Sequence, residues 1–186
     1  MHLANDGFML KLMNEQDEVW VKLLDEAAVR VKSDERSDVA EYLSLRAANN
    51  EIRAAGVKWL LDSSLAIAAE FNREKNASIA IEQENPHDFT FGNSNLVGLL
   101  LCLRQGVRCL TLEAGWTRTP DDGFMRNGAL ACARISHFGI AKANEELILI
   151  RKDNLINWFA VDQENKRNLF DSRNLQRHFE IFLDKF

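Results

Sequence analysis

The apolar rhythm of the chain changes once, near residue 76, and that change limits the fold more than any other feature. Before it, apolar residues recur at three- and four-residue steps, the spacing that lines one side of an α-helix. After it they alternate in short runs, the spacing of half-buried β-strands. Helices gathered ahead of a series of strands do not make the alternating βαβ pattern of a parallel sheet. The expected fold is therefore α+β. An N-terminal helical hairpin or long helices (residues 1–75) pack with an antiparallel β-meander of five to seven strands and a C-terminal helix (residues 76–186), the two parts forming one compact unit.

Residues 14–32 read as an amphipathic helix. Asn14 can cap its start, and acids crowd the first turn, where the helix dipole favours them. Trp20, Leu23, Leu24, Ala27 and Val31 make its apolar stripe. The polar run 33–38 is a loop, and 38–75 reads as a second, long helix. Leu45, Ala48, Ile52, Ala55 and Trp59 follow the seam spacing of a coiled coil or helical hairpin. Such a seam suits a homodimer formed through 38–75. Gly56 lies beside it and costs about 1 kcal/mol against alanine in a helix interior. Arg46, Asn49, Asn50 and Arg53 line the opposite side and read as a solvated face.

The strands are read as follows. Residues 77–83 alternate, 84–95 form a loop around Pro86 with a short strand at 88–91, and 96–115 form a β-hairpin turning at Gln105-Gly106. In that register Cys102 faces Cys109, Leu101 faces Leu110 and Leu99 faces Leu112. A helix over 96–104, stopped by Gly106, is the competing reading of this leucine-rich run. Strands follow at 128–138, 146–152 and 155–161, with turns at 142–144 and Asp153-Asn154. Residues 171–186 read as a helix capped by Asp171 or Ser172, with Leu175, Phe179, Phe182 and Leu183 on its apolar face.

Charge and motifs exclude more than they identify. The net charge is −5, and the acid excess lies wholly within residues 1–82. Phosphate binding needs lysine and arginine, so nucleic acid is not an expected partner. No apolar run reaches the ~20 residues of a membrane span. The N-terminus lacks a basic leader and a sustained apolar core, so no membrane or secretory role is expected and the location is taken as cytoplasmic. The three cysteines (Cys102, Cys109 and Cys132) sit in strand-like runs and read as buried thiols. His2, His87, His137 and His178 show no metal-ligand spacing, and no phosphate-loop, dinucleotide or hydrolase motif occurs, so neither a metal nor a cofactor is expected.

One stretch stands apart. GWTRTPDDGFMRNG, residues 115–128, joins two strands yet mixes Trp116, Phe124 and Met125 with Arg118, Asp121, Asp122 and Arg126. The three apolar side chains are expected to pack down and hold the charges on a fixed frame. From Lys75 to Lys142 every basic residue is an arginine, whose fork suits carboxylate or phosphate. On strand 128–138, Ala129, Ala131, Ala133, Ile135 and His137 line one face, and Arg134 points to the other, with Glu113 as its natural partner. The alanine row leaves room for a closely packed helix or for a ligand. Trp116, Arg118, Asp121, Asp122, Arg126, Arg134, Glu113 and His137 therefore form the candidate ligand set, set against the plainer reading that the arginines and acids only satisfy one another.

The expectation is a non-enzymatic cytoplasmic binding or interaction protein. Its arginine-rich loop region would recognise an acidic peptide, a protein partner or a small anionic ligand, and its helices would mediate dimerisation or partner contact. The alternative is a small enzyme in which Glu113 and His137 transfer protons on an anionic substrate. That alternative requires the two side chains to converge.

Overall fold

The computed structural model describes residues 37–75, 77–125, 128–152 and 155–184. The helix expected over 14–32, Arg126 and the turn pair Asp153-Asn154 lie outside the described residues. The chain divides into two compact units, Met1–Glu51 and Ile52–Phe186. The described part of the first is helical, with Tyr42 and Leu45 exposed.

In chain order the elements are α1 (Ser37–Lys75), β1 (Ala80–Phe91), β2 (Ser94–Gln105), β3 (Arg108–Trp116), β4 (Ala131–His137), β5 (Glu145–Lys152), β6 (Leu155–Val161), β7 (Arg167–Phe170) and α2 (Ser172–Phe182). The strands form one seven-stranded sheet in the order of the chain, each antiparallel to its neighbour. This is the α+β meander that the change of rhythm requires.

Strand alternation sorts the side chains onto two faces. On the covered face, Leu101, Leu112, Ala114, Ala133, Leu147 and Leu149 join one core with Val57, Leu60, Ala68 and Phe71 of α1 and Leu175, Phe179 and Phe182 of α2. Of the expected alanine row, Ala131 and Ala133 join this core, whereas Ala129 lies ahead of β4 and belongs to the cluster of the opposite face. Ala114, Ala131 and Ala133 have no exposed surface. Gly56 explains itself here: a Cβ would stand 2.5 Å from Leu149 Cδ2, and the Gly56 carbonyl accepts from Trp158 Nε1 at 3.0 Å. The helix propensity lost at this glycine is exchanged for that contact.

Of the expected seam on α1, Leu45, Ala48, Ala55 and Trp59 are exposed, while Ile52 is half-buried and packs against the core. Arg53, expected on a solvated face, is instead half-buried, and its Nε donates to the Leu130 carbonyl at 2.8 Å. The helix carries apolar residues on two sides, and the side that lets Gly56 meet Leu149 is the one that packs.

At the other end of the chain, Asp171 caps α2, accepting from the Arg173 and Asn174 amides, while Asn174 returns a bond to the Asp171 amide. Phe179 stacks on Phe71 with ring centroids 6.2 Å apart.

The hairpin reading of 96–115 holds and the helical one does not, but the register differs. Leu103 pairs with Leu110 and Cys102 with Thr111, because the turn residues are Gly106 and Val107. Gly106 has φ of +58°, which glycine adopts freely at the first position of a two-residue hairpin turn. The strand expected at 88–91 is present, but 84–87 is not a loop. It belongs to the same β1, which runs through Pro86 because an edge strand tolerates the missing N–H, and the chain turns at Gly92-Asn93 into β2.

The opposite, open face has its own smaller cluster: Phe89 and Phe91 of β1, Leu96, Cys132, Ile148 and Ala129, with no residue from either helix. Arg134 Nη2 on β4 donates to the Thr90 carbonyl on β1 at 3.1 Å. In a flat sheet those strands stand about 14 Å apart, three spacings of 4.7–4.9 Å, beyond an arginine's reach. The sheet therefore curls about its open face. Gly98 and Gly115, paired across β2 and β3, lie at the fold: a Cβ on Gly98 would collide with the Ala114 carbonyl oxygen.

Candidate functional site

A bulge in β1 builds the most concentrated polar group of the open face. Glu84 pairs with Leu100 and His87 with Gly98, so β1 spends one extra residue between them. Without it, Glu84 and His87 would point to opposite sides. With it, both point to the open face. Across the curl, Glu113 on β3 faces them, and Arg134, its register partner on β4, lies on its far side.

The contacts form a chain. His87 Nδ1 lies 3.3 Å from Glu84 Oε1, and His87 Nε2 lies 3.1 Å from Glu113 Oε1. Arg134 Nη1 donates to Glu113 Oε2 at 3.3 Å, and its Nε lies 3.9 Å from Glu146 Oε1. The Arg134 guanidinium also stands 5.7 Å from the centre of the Phe91 ring. The side chains of His87, Glu113 and Arg134 are 16%, 21% and 31% exposed, so the network is neither sealed nor freely solvated. Burial lowers the His87 pKa, but the bonds to Glu113 and Glu84 outweigh it, and the net shift is upward from 6.5. His87 thus carries its proton more readily than a free imidazole. The Arg134–Glu113 pair was legible from the strand register. His87 was not, because reading 84–95 as a loop hid the bulge that aims it.

The other expected ligand residues do not converge on this group. Arg118 lies over the Trp116 ring, 3.9 Å from its centre, and Trp116 belongs to the covered core. Asp122 accepts from the Thr119 amide at 2.7 Å, the Thr119 hydroxyl at 3.0 Å and the Arg118 amide at 3.0 Å. Those bonds, the Thr119 amide first, lower its carboxyl pKa. Asp122 therefore shapes the loop, while Asp121 is exposed. Met125 packs between the two clusters, but Phe124 is 85% exposed, contrary to the expectation that it packs down. Its carbonyl, not its ring, is the anchor, accepting from Ser94 Oγ at 2.9 Å.

A shallow depression of about 380 Å³ lies where the loop meets β1 and β2, lined by Asp88, Phe89, Thr90, Asn95, Val97 and Asp122. It holds two carboxylates and no arginine. Arg104 pairs with Glu82, and Arg108 with Asp184 and the Phe182 carbonyl. The described arginines of 100–140 are thus each engaged within the chain rather than gathered around an anion.

His137 sits on the covered face and does not meet Glu113. Its Nε2 lies 2.9 Å from His178 Nδ1, and His178 Nε2 lies 2.9 Å from Glu145 Oε2. Either nitrogen of an imidazole can donate, so the tautomers of the two rings set the direction of each bond along this chain. Both histidines are buried, and desolvation with the neighbouring His178 lowers the His137 pKa to about 4. This chain fastens α2 to β4 and β5. The proton-transfer pair of Glu113 and His137 is not assembled. Among the described residues no group of histidines, cysteines and acids is placed to hold a metal ion.

No protein-family model, curated protein sequence or solved structure matches this chain.

Proposed function

We propose that the protein is a non-enzymatic binding protein whose ligand surface is the open face of the sheet, centred on His87, Glu113 and Arg134. The observation that supports this reading is the half-buried ion network on a face that neither helix core includes. Such a network adds little to stability, because desolvating the charges offsets their attraction, and apolar residues would fill the space as well. Glu84, Glu113 and Glu146 stand there against His87 and Arg134. That balance favours a basic group on a protein partner over the acidic peptide or small anion that the arginines suggested from sequence.

The test is titration of the purified protein with two synthetic peptides of equal length, one lysine-rich and one glutamate-rich. The expected result is binding of the lysine-rich peptide that weakens with salt and falls several-fold in a Glu84→Gln, Glu146→Gln double variant. Binding of the glutamate-rich peptide instead would restore the arginine-led reading. Binding of neither would end the assignment of this face. Dimerisation through 38–75 belongs to the same reading, and a strictly monomeric protein at micromolar concentration in sedimentation would remove it.

A further inference from the structure

Cys102 and Cys109 stand on the open face of the β2–β3 hairpin, on either side of its two-residue turn. They are not register partners: Cys102 pairs with Thr111, and Cys109 with Arg104. The right-handed twist of a hairpin nonetheless brings one diagonal of such positions together. Their sulfurs lie 3.2 Å apart. A disulfide needs ~2.05 Å, so the two sulfurs must close from this contact to a bond. Cys102 is buried and Cys109 half-buried, so reagents in solution meet Cys109 first.

We infer that Cys102 and Cys109 form an oxidisable dithiol that closes to an intramolecular disulfide by exchange with a low-molecular-weight disulfide. The Cys109 thiolate attacks one sulfur of that disulfide and expels its other half as a thiolate, leaving a mixed disulfide on Cys109. The Cys102 thiol loses its proton to solvent and attacks the Cys109 sulfur. The new bond joins the two protein sulfurs and expels the second small thiol. Two protein thiols are oxidised, one small disulfide is reduced to two thiols, and the protons balance. Burial and the contact with Cys102 push the Cys109 pKa up to about 11. Closure is therefore slow near neutral pH and accelerates as the pH rises, since the thiolate is the attacking form. Cys132, 1% exposed in the open-face cluster, takes no part.

The experiment exposes the purified protein to oxidised glutathione at several pH values, blocks remaining thiols under denaturing conditions, and maps the tryptic peptides. Arg104 and Arg108 lie between the two cysteines, so trypsin separates them unless a disulfide holds their peptides together. The expected result is a Cys102–Cys109 linked pair, Cys132 still blocked as a thiol, and a rate that climbs with pH. Three free thiols, a persistent glutathione adduct on Cys109, a pairing with Cys132 or a link between two chains would each overturn the inference. No substituted protein is needed, so folding defects cannot confuse the outcome.

Discussion

His87 and His137 stand on opposite faces of one sheet, and their imidazoles are pushed in opposite directions. On the open face, His87 sits between Glu84 and Glu113, and its pKa rises above 6.5. On the covered face, His137 faces another imidazole in the core, and its pKa falls to about 4. The covered face uses its polar atoms to fasten a helix, and water cannot replace them. The open face keeps charges where a partner can reach them. If this division of labour is right, substitutions on the covered face cost stability and those on the open face cost recognition.

The largest effect tests the covered core. Phe179 has no exposed surface and stacks on Phe71. Phe179→Ala should lower the unfolding free energy by about 3–5 kcal/mol, the usual cost of emptying a well-packed aromatic site. Phe159, half-buried on the open face, should cost clearly less as Phe159→Ala. Urea denaturation of both decides the matter, and equal losses would mean that the open face is as much a core as the other.

Next is the buried polar chain. His178→Phe keeps a ring beside Phe170 but leaves His137 Nε2 and Glu145 without their partner. The expected loss is about 1–3 kcal/mol, the cost of an unsatisfied buried group. His87→Phe should lose less, because Glu84 on the open face is already 60% exposed and can turn to water. A larger loss at His87 than at His178 would reverse the comparison.

The covered face was also the more legible one in sequence. Alternating leucines and alanines fixed which strand residues turn inward, and the Phe179 face of α2 was plain from its spacing. What misled was any position with two acceptable apolar arrangements. α1 offers Trp59 and Leu60 on different sides, and only the Gly56 contact with Leu149 selects between them. On the open face, the pairing of Glu113 with Arg134 followed from adjacent strands. His87 depended on a one-residue bulge, which carries no clear composition of its own, and the His137–His178 contact joins residues 41 apart that no local pattern links.

The pH response separates the two faces without altering the core. The folded chain protonates His137 only near pH 4, the unfolded chain near 6.5. Stability from this group is present above about 6.5 and drains as the pH falls toward 4. His87 has the opposite sign. Its contribution is complete below 6.5 and is lost as the pH rises through its raised value. His137→Gln should flatten the acid side of a melting-temperature profile, and His87→Gln the neutral to alkaline side. Imidazole resonances give the same order directly, with His87 titrating at higher pH than His137. The reverse order would contradict the assigned environments.

The smallest effect concerns the loop that joins the two faces. Arg118 lies over Trp116, an exposed cation–π contact of about 0.5–1 kcal/mol. Arg118→Ala should therefore shift stability slightly and leave the loop in place, since Asp122 holds its turn through the Thr119 amide and hydroxyl. Binding of the lysine-rich peptide should be unchanged, because Arg118 lies with the covered-face core and Arg134 with the open face. If Arg118→Ala abolishes binding of either peptide while the melting temperature holds, the loop is part of the recognition surface. The ligand set would then include the residues that its mixed composition first brought to notice.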